Sequence, residues 1–420
     1  MAEQIPVRTV DLVIADAAEL LTCAPDATDL IGCVRGGGLA VDDGRIVAVG
    51  DVSGYRGRRR IDASGKVVMP GFVDSHTHVV FGGDRAAEYA GKVAGAPPPE
   101  GAAVGITGTM ADTRALSAEE LVDQALPRVR QMLAAGTTTF ESKTGYGLSR
   151  EAEWRLLEAN ARLASAVDAR LVSTYLGGHA IAPGRDPEQW TAEIVAQLPE
   201  VAAAGLAAFN DVYCDEGYFT PAQTERILAA GLEHGLVPKI HLDAYSHTGV
   251  APLAARLGAV SADHLNYTTD AELEQLAEAG VTGVYMPCLE YAVAHPRPLD
   301  PTRLQRAGME VALATDVCPG CWTIGMETVI VMACRAGGMS VPAAIRAATR
   351  GGALALGLGE RVGSLTVGRD ADVLVLDVPS HEHLAYRLSG SPVDAVVRAG
   401  AVVSGARTPA EELSDKESRP

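Results

Sequence analysis

Three times in the middle of this chain a Ser or Thr stands three residues ahead of a Glu or Gln, a helix-length stretch ends in glycine, and an apolar run follows. Ser117-x-x-Glu120 leads to Gly136 and then Thr137-Thr-Thr-Phe-Glu141. Thr220-Pro221-x-Gln223 leads to Gly235 and Val237-Pro-Lys-Ile-His-Leu242, and Thr269-x-x-Glu272 leads to Gly280 and Val281-Thr-Gly-Val-Tyr-Met286. Each helix start offers a side-chain acceptor to backbone N–H groups that have no intrahelical partner. Helix followed by strand, repeated, is the pattern of parallel strands joined by crossover helices. Val260-Ser-Ala-Asp-His-Leu265 and Val311-Ala-Leu-Ala-Thr-Asp316 supply two later strands, so the pattern predicts an α/β fold with a (β/α)8 barrel.

Such a barrel takes about 250 residues, and the chain has 420. The surplus lies at the two ends, which have a different texture. Asp11-Leu-Val-Ile-Ala15, Gly38-Leu-Ala-Val-Asp42 and Arg45-Ile-Val-Ala-Val49 are short strands, the last two joined by the turn pair Asp43-Gly44. Ala371-Asp-Val-Leu-Val-Leu-Asp377 and the run from Val393 to Val403 repeat that texture near the other end. We expect both ends to meet in one small β-sandwich domain, contributed by residues 1–68 and 362–406, around a barrel over 69–361. The charged tail, 407–420, holds almost no large apolar residue and is expected to be loose. The Gly/Pro-rich stretch 95–108 is too polar and kinked for a regular element and reads as a lid.

With 35 basic against 53 acidic residues the net charge is −18, which excludes phosphate backbones and anionic lipid as natural partners. No apolar run approaches the roughly 20 residues that span a bilayer, and the first residues lack a basic-then-apolar leader. We expect neither nucleic acid nor membrane as partner, and a cytoplasmic location. The seven cysteines are scattered and odd in number, without a disulfide framework.

Chemistry in a barrel sits at the C-terminal ends of its strands. Those positions hold His76 and His78 at the end of Met69-Pro-Gly-Phe-Val-Asp-Ser-His-Thr-His78, then His179, His241, His264 and Asp316. In a strand, side chains two apart share a face, so His76 and His78 can converge. Any one of these histidines alone could be an ordinary core or surface imidazole. Jointly they suit a divalent metal with room for a water.

Pro70-Gly-Phe-Val-Asp-Ser-His-Thr-His78, Lys239-Ile-His241, Ser261-Ala-Asp-His264 and Ala314-Thr-Asp316 together resemble the amidohydrolase superfamily. Within it, Phe81-Gly-Gly-Asp-Arg85, Phe140-Glu-Ser-Lys-Thr-Gly-Tyr-Gly-Leu148, Leu176-Gly-Gly-His-Ala180, Asp211-Val-Tyr-Cys-Asp215 and Val362-Gly-Ser-Leu-Thr-Val-Gly-Arg-Asp-Ala-Asp372 resemble the imidazolonepropionase family. The resemblance implies a TIM barrel of the amidohydrolase type and hydrolysis of the ring amide of 4-imidazolone-5-propanoate. It implies one Zn or Fe ion held by His76, His78, His241 and Asp316, with His264 and Asp316 catalytic. It also implies substrate contacts at Arg85, Tyr146 and His179, a small carboxylated substrate and a homodimer. We take Thr174-Tyr-Leu-Gly-Gly-His179 as strand four, where two-metal relatives carry a bridging lysine and this chain carries none.

Three departures touch the substrate side. Ala244 stands where the family has Glu or Gln, Cys318 where it has Asn, and no residue of Gly95-Ala-Pro-Pro-Pro-Glu100 matches its loop tyrosine. They favour a second reading, a sibling hydrolase or deaminase acting on another small cyclic amide or amidine. A third, an inactive interaction protein, is opposed by the intact ligand set. Cys318-Pro-Gly-Cys321 has no second Cys pair at zinc-site spacing and reads as neutral thiols at the pocket. His247, His295, His381 and His383 read as surface or rim residues, with Tyr245 or His247 open as replacements for the missing contacts.

Overall fold

The computed structural model describes residues 7–96 and 104–405. Eight strands, Phe72–Asp74, Thr137–Lys143, Arg170–Gly178, Phe209–Cys214, Val237–Leu242, Ser261–His264, Thr282–Tyr285 and Val311–Leu313, form one sheet in sequence order. Every neighbouring pair is parallel. The ring is closed by backbone hydrogen bonds just beyond the first and last strands, Asp316 N–H to His76 O at 3.1 Å and His78 N–H to Val317 O at 2.9 Å. This is the expected barrel, wrapped by its helices.

The three cap signals act as read. Ser117, Thr220 and Thr269 each accept from the backbone N–H three residues on, while Glu120, Gln223 and Glu272 bond back to the cap. Each such cap is worth about 1 kcal/mol to its helix.

Two sheets make up the small domain. The four-stranded one runs Arg45–Gly50, Gly38–Asp42, Arg8–Ala15, Tyr55–Asp62; the six-stranded one runs Ala401–Gly405, Val393–Arg398, Val373–Leu376, Val67–Pro70, Glu19–Leu21, Cys33–Arg35. Leu12, Val41 and Ile61 of the first pack against Val68, Val375 and Val397 of the second in one buried cluster, so the layers share a core from both chain ends. The chain changes sheet at Gly71, between Val67–Pro70 of the small domain and Phe72–Asp74 of the barrel. Asp43 and Gly44 take φ of +49° and +70°, the two left-handed residues of a tight hairpin.

Two readings, of strand four and of the lid, need correction. Barrel strand four is Phe209–Cys214, and Arg170–Gly178 with His179 after it is strand three. The true fourth strand contains no lysine either, so the one-metal inference survives the change of strand. The run from Val393 to Val403 is two strands around Ala399-Gly400, whose φ values are +47° and +80°. Within the supposed lid, residues 105–108 open a helix, Gly105–Arg114, and the helix Ala86–Val93 precedes it; the stretch 97–103 and the tail 407–420 lie outside the described residues.

Candidate metal centre

His76 and His78 lie just past the end of the first strand, not within it, and still converge. Ligand atoms of His76, His78 and His241 fall within 4.8 Å of one another, all three residues buried. Asp316 Oδ1 is 3.8 Å from Nε2 of both His76 and His78. His76 Nε2 is fully buried without a hydrogen-bond partner, an orphan of the kind that a metal satisfies. Asp316 takes φ of +45° and His264 of +79°, left-handed conformations that side chains rarely adopt and that cluster at functional sites. Asp316 is held there through its neighbour: Thr315 donates N–H and Oγ1–H to the two oxygens of Asp74 at 3.0 and 2.6 Å. Burial pushes the imidazoles of His76, His78 and His241 well below their ordinary range, so all three stand neutral, the form a metal requires. These four side chains could hold one ion.

Below them lies a knot of buried charge. His76 Nδ1 donates to Asp263 Oδ2 at 2.6 Å, and His241 Nδ1 lies 3.0 Å from Asp211 Oδ2. Lys143 Nζ reaches Asp211 Oδ2 at 2.6 Å, Glu141 Oε2 at 3.0 Å and Asp263 Oδ2 at 3.4 Å, and Lys239 Nζ reaches Glu141 Oε1 at 3.1 Å. Burial works against the charge of Lys143, and Asp211, Glu141 and Asp263 more than offset it, holding the ammonium above its ordinary range. The carboxylate on the far nitrogen of His76 fixes its tautomer and turns Nε2 toward the site, whereas Asp211 lies close to His241 Nδ1 without a hydrogen bond. One lysine thus serves the carboxylates behind two candidate ligands.

Above the floor opens a cavity of about 330 Å³, bordered by His264, Tyr146, His179 and Arg85. His179 stacks on His78 with centroids 4.9 Å apart, and its Nδ1 lies 3.0 Å from Gly145 O, which leaves Nε2 for the cavity. Gly145 has φ of +106°, and a Cβ there would come within 2.8 Å of the His179 ring, so only glycine allows the contact. Burial brings His179 and His264 down to about 4. The Arg85 fork is partly used already: Nε and Nη2 donate to the carboxylate of Glu88 at 2.9 and 2.6 Å, and Lys92 Nζ joins Glu88 at 2.7 Å. Its own next helical turn thus occupies that edge of the guanidinium. The Nη1 edge lies toward Gly320, on the same cavity wall.

Amidohydrolase family models match residues 59–181 and 219–403. The chain is 41% identical over 411 residues to an imidazolonepropionase of Halobacterium salinarum, covering 94% of this chain and 99% of that protein. It is 40% identical over 387 residues to one of Geobacillus kaustophilus, covering 89% and 91%. The chain belongs to the imidazolonepropionase family. The barrel architecture is shared more widely: an adenosine deaminase from Xanthomonas campestris with bound zinc superposes with a TM-score of 0.71 at 21% identity over 98% of both chains.

Against the imidazolonepropionase pattern, the structure gathers all eight candidate residues around one cavity floor and wall. Ala244 puts a methyl on the cavity wall, and Cys318 lies beside the Tyr146 hydroxyl. Burial pushes Cys321 up to about 12 and Cys318 well above the ordinary thiol range, so both are neutral thiols; their backbones pair across Pro319-Gly320 at 3.0 and 3.1 Å. Tyr245 borders the cavity, whereas His247 pairs with Glu272 outside it. Of the histidines expected at the surface or rim, His295 is buried on the cavity wall, its Nε2–H donating to Ala244 O at 2.9 Å and its Nδ1 accepting from Arg297 N–H at 3.1 Å. His381 is likewise mostly buried, 2.8 Å from Glu19.

Sequence reasoning missed Lys143, Asp211, Asp263, Tyr213, Glu88 and Glu290. For Lys143 a signal existed. A charged residue two positions before or after another polar one, inside an otherwise apolar strand, shares its inward face, as Glu141 and Lys143 do, or Lys239 and His241. Tyr89, on the helix after the first strand, borders the cavity where a loop tyrosine was sought.

Proposed function

We propose that this protein hydrolyses the ring amide of 4-imidazolone-5-propanoate to N-formimino-L-glutamate, with one Zn or Fe ion held by His76, His78, His241 and Asp316. The observation that carries the reading is the convergence of three neutral imidazoles and one carboxylate on the floor of a cavity that also holds Arg85, Tyr146 and His179. Family membership over almost the whole chain supports the substrate. When bound, an ion of this type polarises a carbonyl and lowers the pKa of a water to about 7.

The chain's own groups then do the following. Asp316 takes the proton of the attacking water on a carboxylate oxygen and delivers it to the ring nitrogen as the carbon–nitrogen bond breaks. His264, its ring centroid 5.6 Å from that of His76, orients the water. His179 Nε2 and the Tyr146 hydroxyl hold the ring, with the stacked His78 and His179 rings as a flat wall. Arg85 receives the carboxylate on the guanidinium face that Glu88 leaves open. The same reading makes the protein a cytoplasmic homodimer; among the described residues no helix is long and apolar enough to cross a membrane.

Ala244 and Cys318 favour one competing reading, a sibling enzyme for another small cyclic amide. Generating imidazolonepropionate in situ with a urocanase and following its ultraviolet absorbance separates the two. A metal-loaded protein that leaves the absorbance unchanged while opening other five-membered ring amides transfers the assignment to the sibling. Elemental analysis tests the metal: about one tightly bound ion per chain is expected, and two, or none after gentle purification, refutes the ligand set.

A further inference from the structure

Glu290 plays no part in the chemistry above, yet its carboxyl borders the same cavity, with His264, Asn266 and Ala244 as neighbours on the wall. It lies in the short helix Pro287–Ala292 that follows the seventh barrel strand, and is only 8% exposed. Its Oε1 is tied down twice, accepting from Asn266 Nδ2 and from the Leu299 backbone N–H at 3.0 Å. Those two donors fix the plane of the carboxyl. Among the described residues Oε2 receives no hydrogen bond and no Lys or Arg forms an ion pair with the group. Nearby candidates are engaged elsewhere: Arg297 stacks on Tyr267 at 4.8 Å, and both nitrogens of His295 are used, by Ala244 O and Arg297 N–H. Burial accordingly raises this carboxyl to about 7.

A buried carboxyl without a counter-ion is costly, and one that borders a catalytic cavity with an oriented, unused oxygen is built to meet a donor on a ligand. The other carboxylates at the cavity are committed, Asp316 beside His76 and His78 and Glu88 to Arg85 and Lys92. Ala244 adds only a methyl on this wall, so Glu290 has no competing polar side chain from that position. We infer that Glu290 is a specificity-determining residue whose Oε2 accepts a hydrogen bond from an N–H of the substrate ring. The cavity then selects molecules that carry a carboxylate for Arg85 and a ring N–H donor for Glu290, which excludes rings fully substituted at nitrogen. The inference rests on the proposed function for the presence of a carboxylated ring, and adds what the ring must offer.

The test uses the full-length, metal-loaded enzyme and binding as well as turnover. Glu290→Gln keeps an oxygen for Asn266 and Leu299 but presents an NH2 where Oε2 was, so donor meets donor. By calorimetry, hydantoin-5-propionate should bind wild type about tenfold to hundredfold more tightly than its N,N′-dimethyl counterpart, the scale of one charge-assisted hydrogen bond. Glu290→Gln should reduce that preference to within about threefold, with metal content and melting temperature unchanged, and should raise KM for turnover far more than it lowers kcat. An equal preference in wild type and variant, or none in wild type, overturns the inference. If the preference is present and lost on substitution while imidazolonepropionate is not turned over, the substrate assignment fails and the role of Glu290 stands. If neither ring binds wild type, both fail. Should Glu290→Gln not fold, Glu290→Asp, which withdraws the carboxylate by one methylene, makes the same comparison.

Discussion

The floor of the cavity and its rim hold their charges in different ways. On the floor, Lys143, Glu141, Asp211 and Asp263 are completely buried and each charge faces a counter-charge or an imidazole within about 3.4 Å. At the rim, Arg85 is shared with Glu88, Lys92 is mostly exposed, and Tyr245 and Trp322 are 48% and 54% exposed. The floor is a closed circuit in which no member can change alone, because an unpaired buried charge costs several kcal/mol. The rim mixes a largely buried ion pair, Arg85 with Glu88, with the exposed side chains of Lys92, Tyr245 and Trp322. The candidate metal ligands sit against this circuit, whereas Ala244 and Cys318 are buried on the cavity wall outside it.

The sharpest way to break the comparison is to separate ion from turnover. His241→Ala should lose both metal and activity, whereas His264→Ala should keep the metal, by elemental analysis, and lose turnover by about 10²- to 10⁴-fold. If both variants lose metal equally, His264 belongs to the ligand set. Next in size comes Lys143→Met, which leaves Glu141, Asp211 and Asp263 facing one another. It should destabilise the fold by about 3–5 kcal/mol in denaturant titration and weaken metal retention. An unchanged midpoint would mean that the buried charges do not act as a unit.

At the rim, Arg85→Met should raise KM for a carboxylated substrate and reduce kcat/KM by about tenfold to hundredfold. Steady-state kinetics with an intact metal count checks it, and an unaltered kcat/KM removes Arg85 from the site. The smallest effect is expected from Glu88→Gln. It releases the edge of Arg85 that Glu88 now occupies, and KM should fall by up to about fivefold, the scale of an ion pair that is partly open to solvent. A rise in KM instead would show that Glu88 aims Arg85 and does not compete for it.

What could be read from the chain follows the same division. Ser117, Thr220 and Thr269 announce helices because a capping box is local, three residues long. His76, His78, His241, His264 and Asp316 announce the floor because barrel strands deliver their last residues to one place. Phe209–Cys214 escaped notice because Asn210 and Asp211 make a short buried strand look like loop text. Glu290 was illegible for a different reason: its partners Asn266 and Leu299 come from other loops, and only the packed barrel brings them together. The engagement of Arg85 by Glu88 is an i, i+3 pair on one helical turn and was within reach of the sequence.

The backbone bonds from Asp316 to His76 and from His78 to Val317 bear on how this protein is made. They join the earliest and latest segments of the barrel beside the proposed ligands, so the three histidines of that proposed set can leave the ribosome well before its aspartate. A nascent chain therefore offers only an open, incomplete claw. Ring closure and metal capture become one late event, and a chain cut short before Asp316 has no finished site in which to sequester an ion.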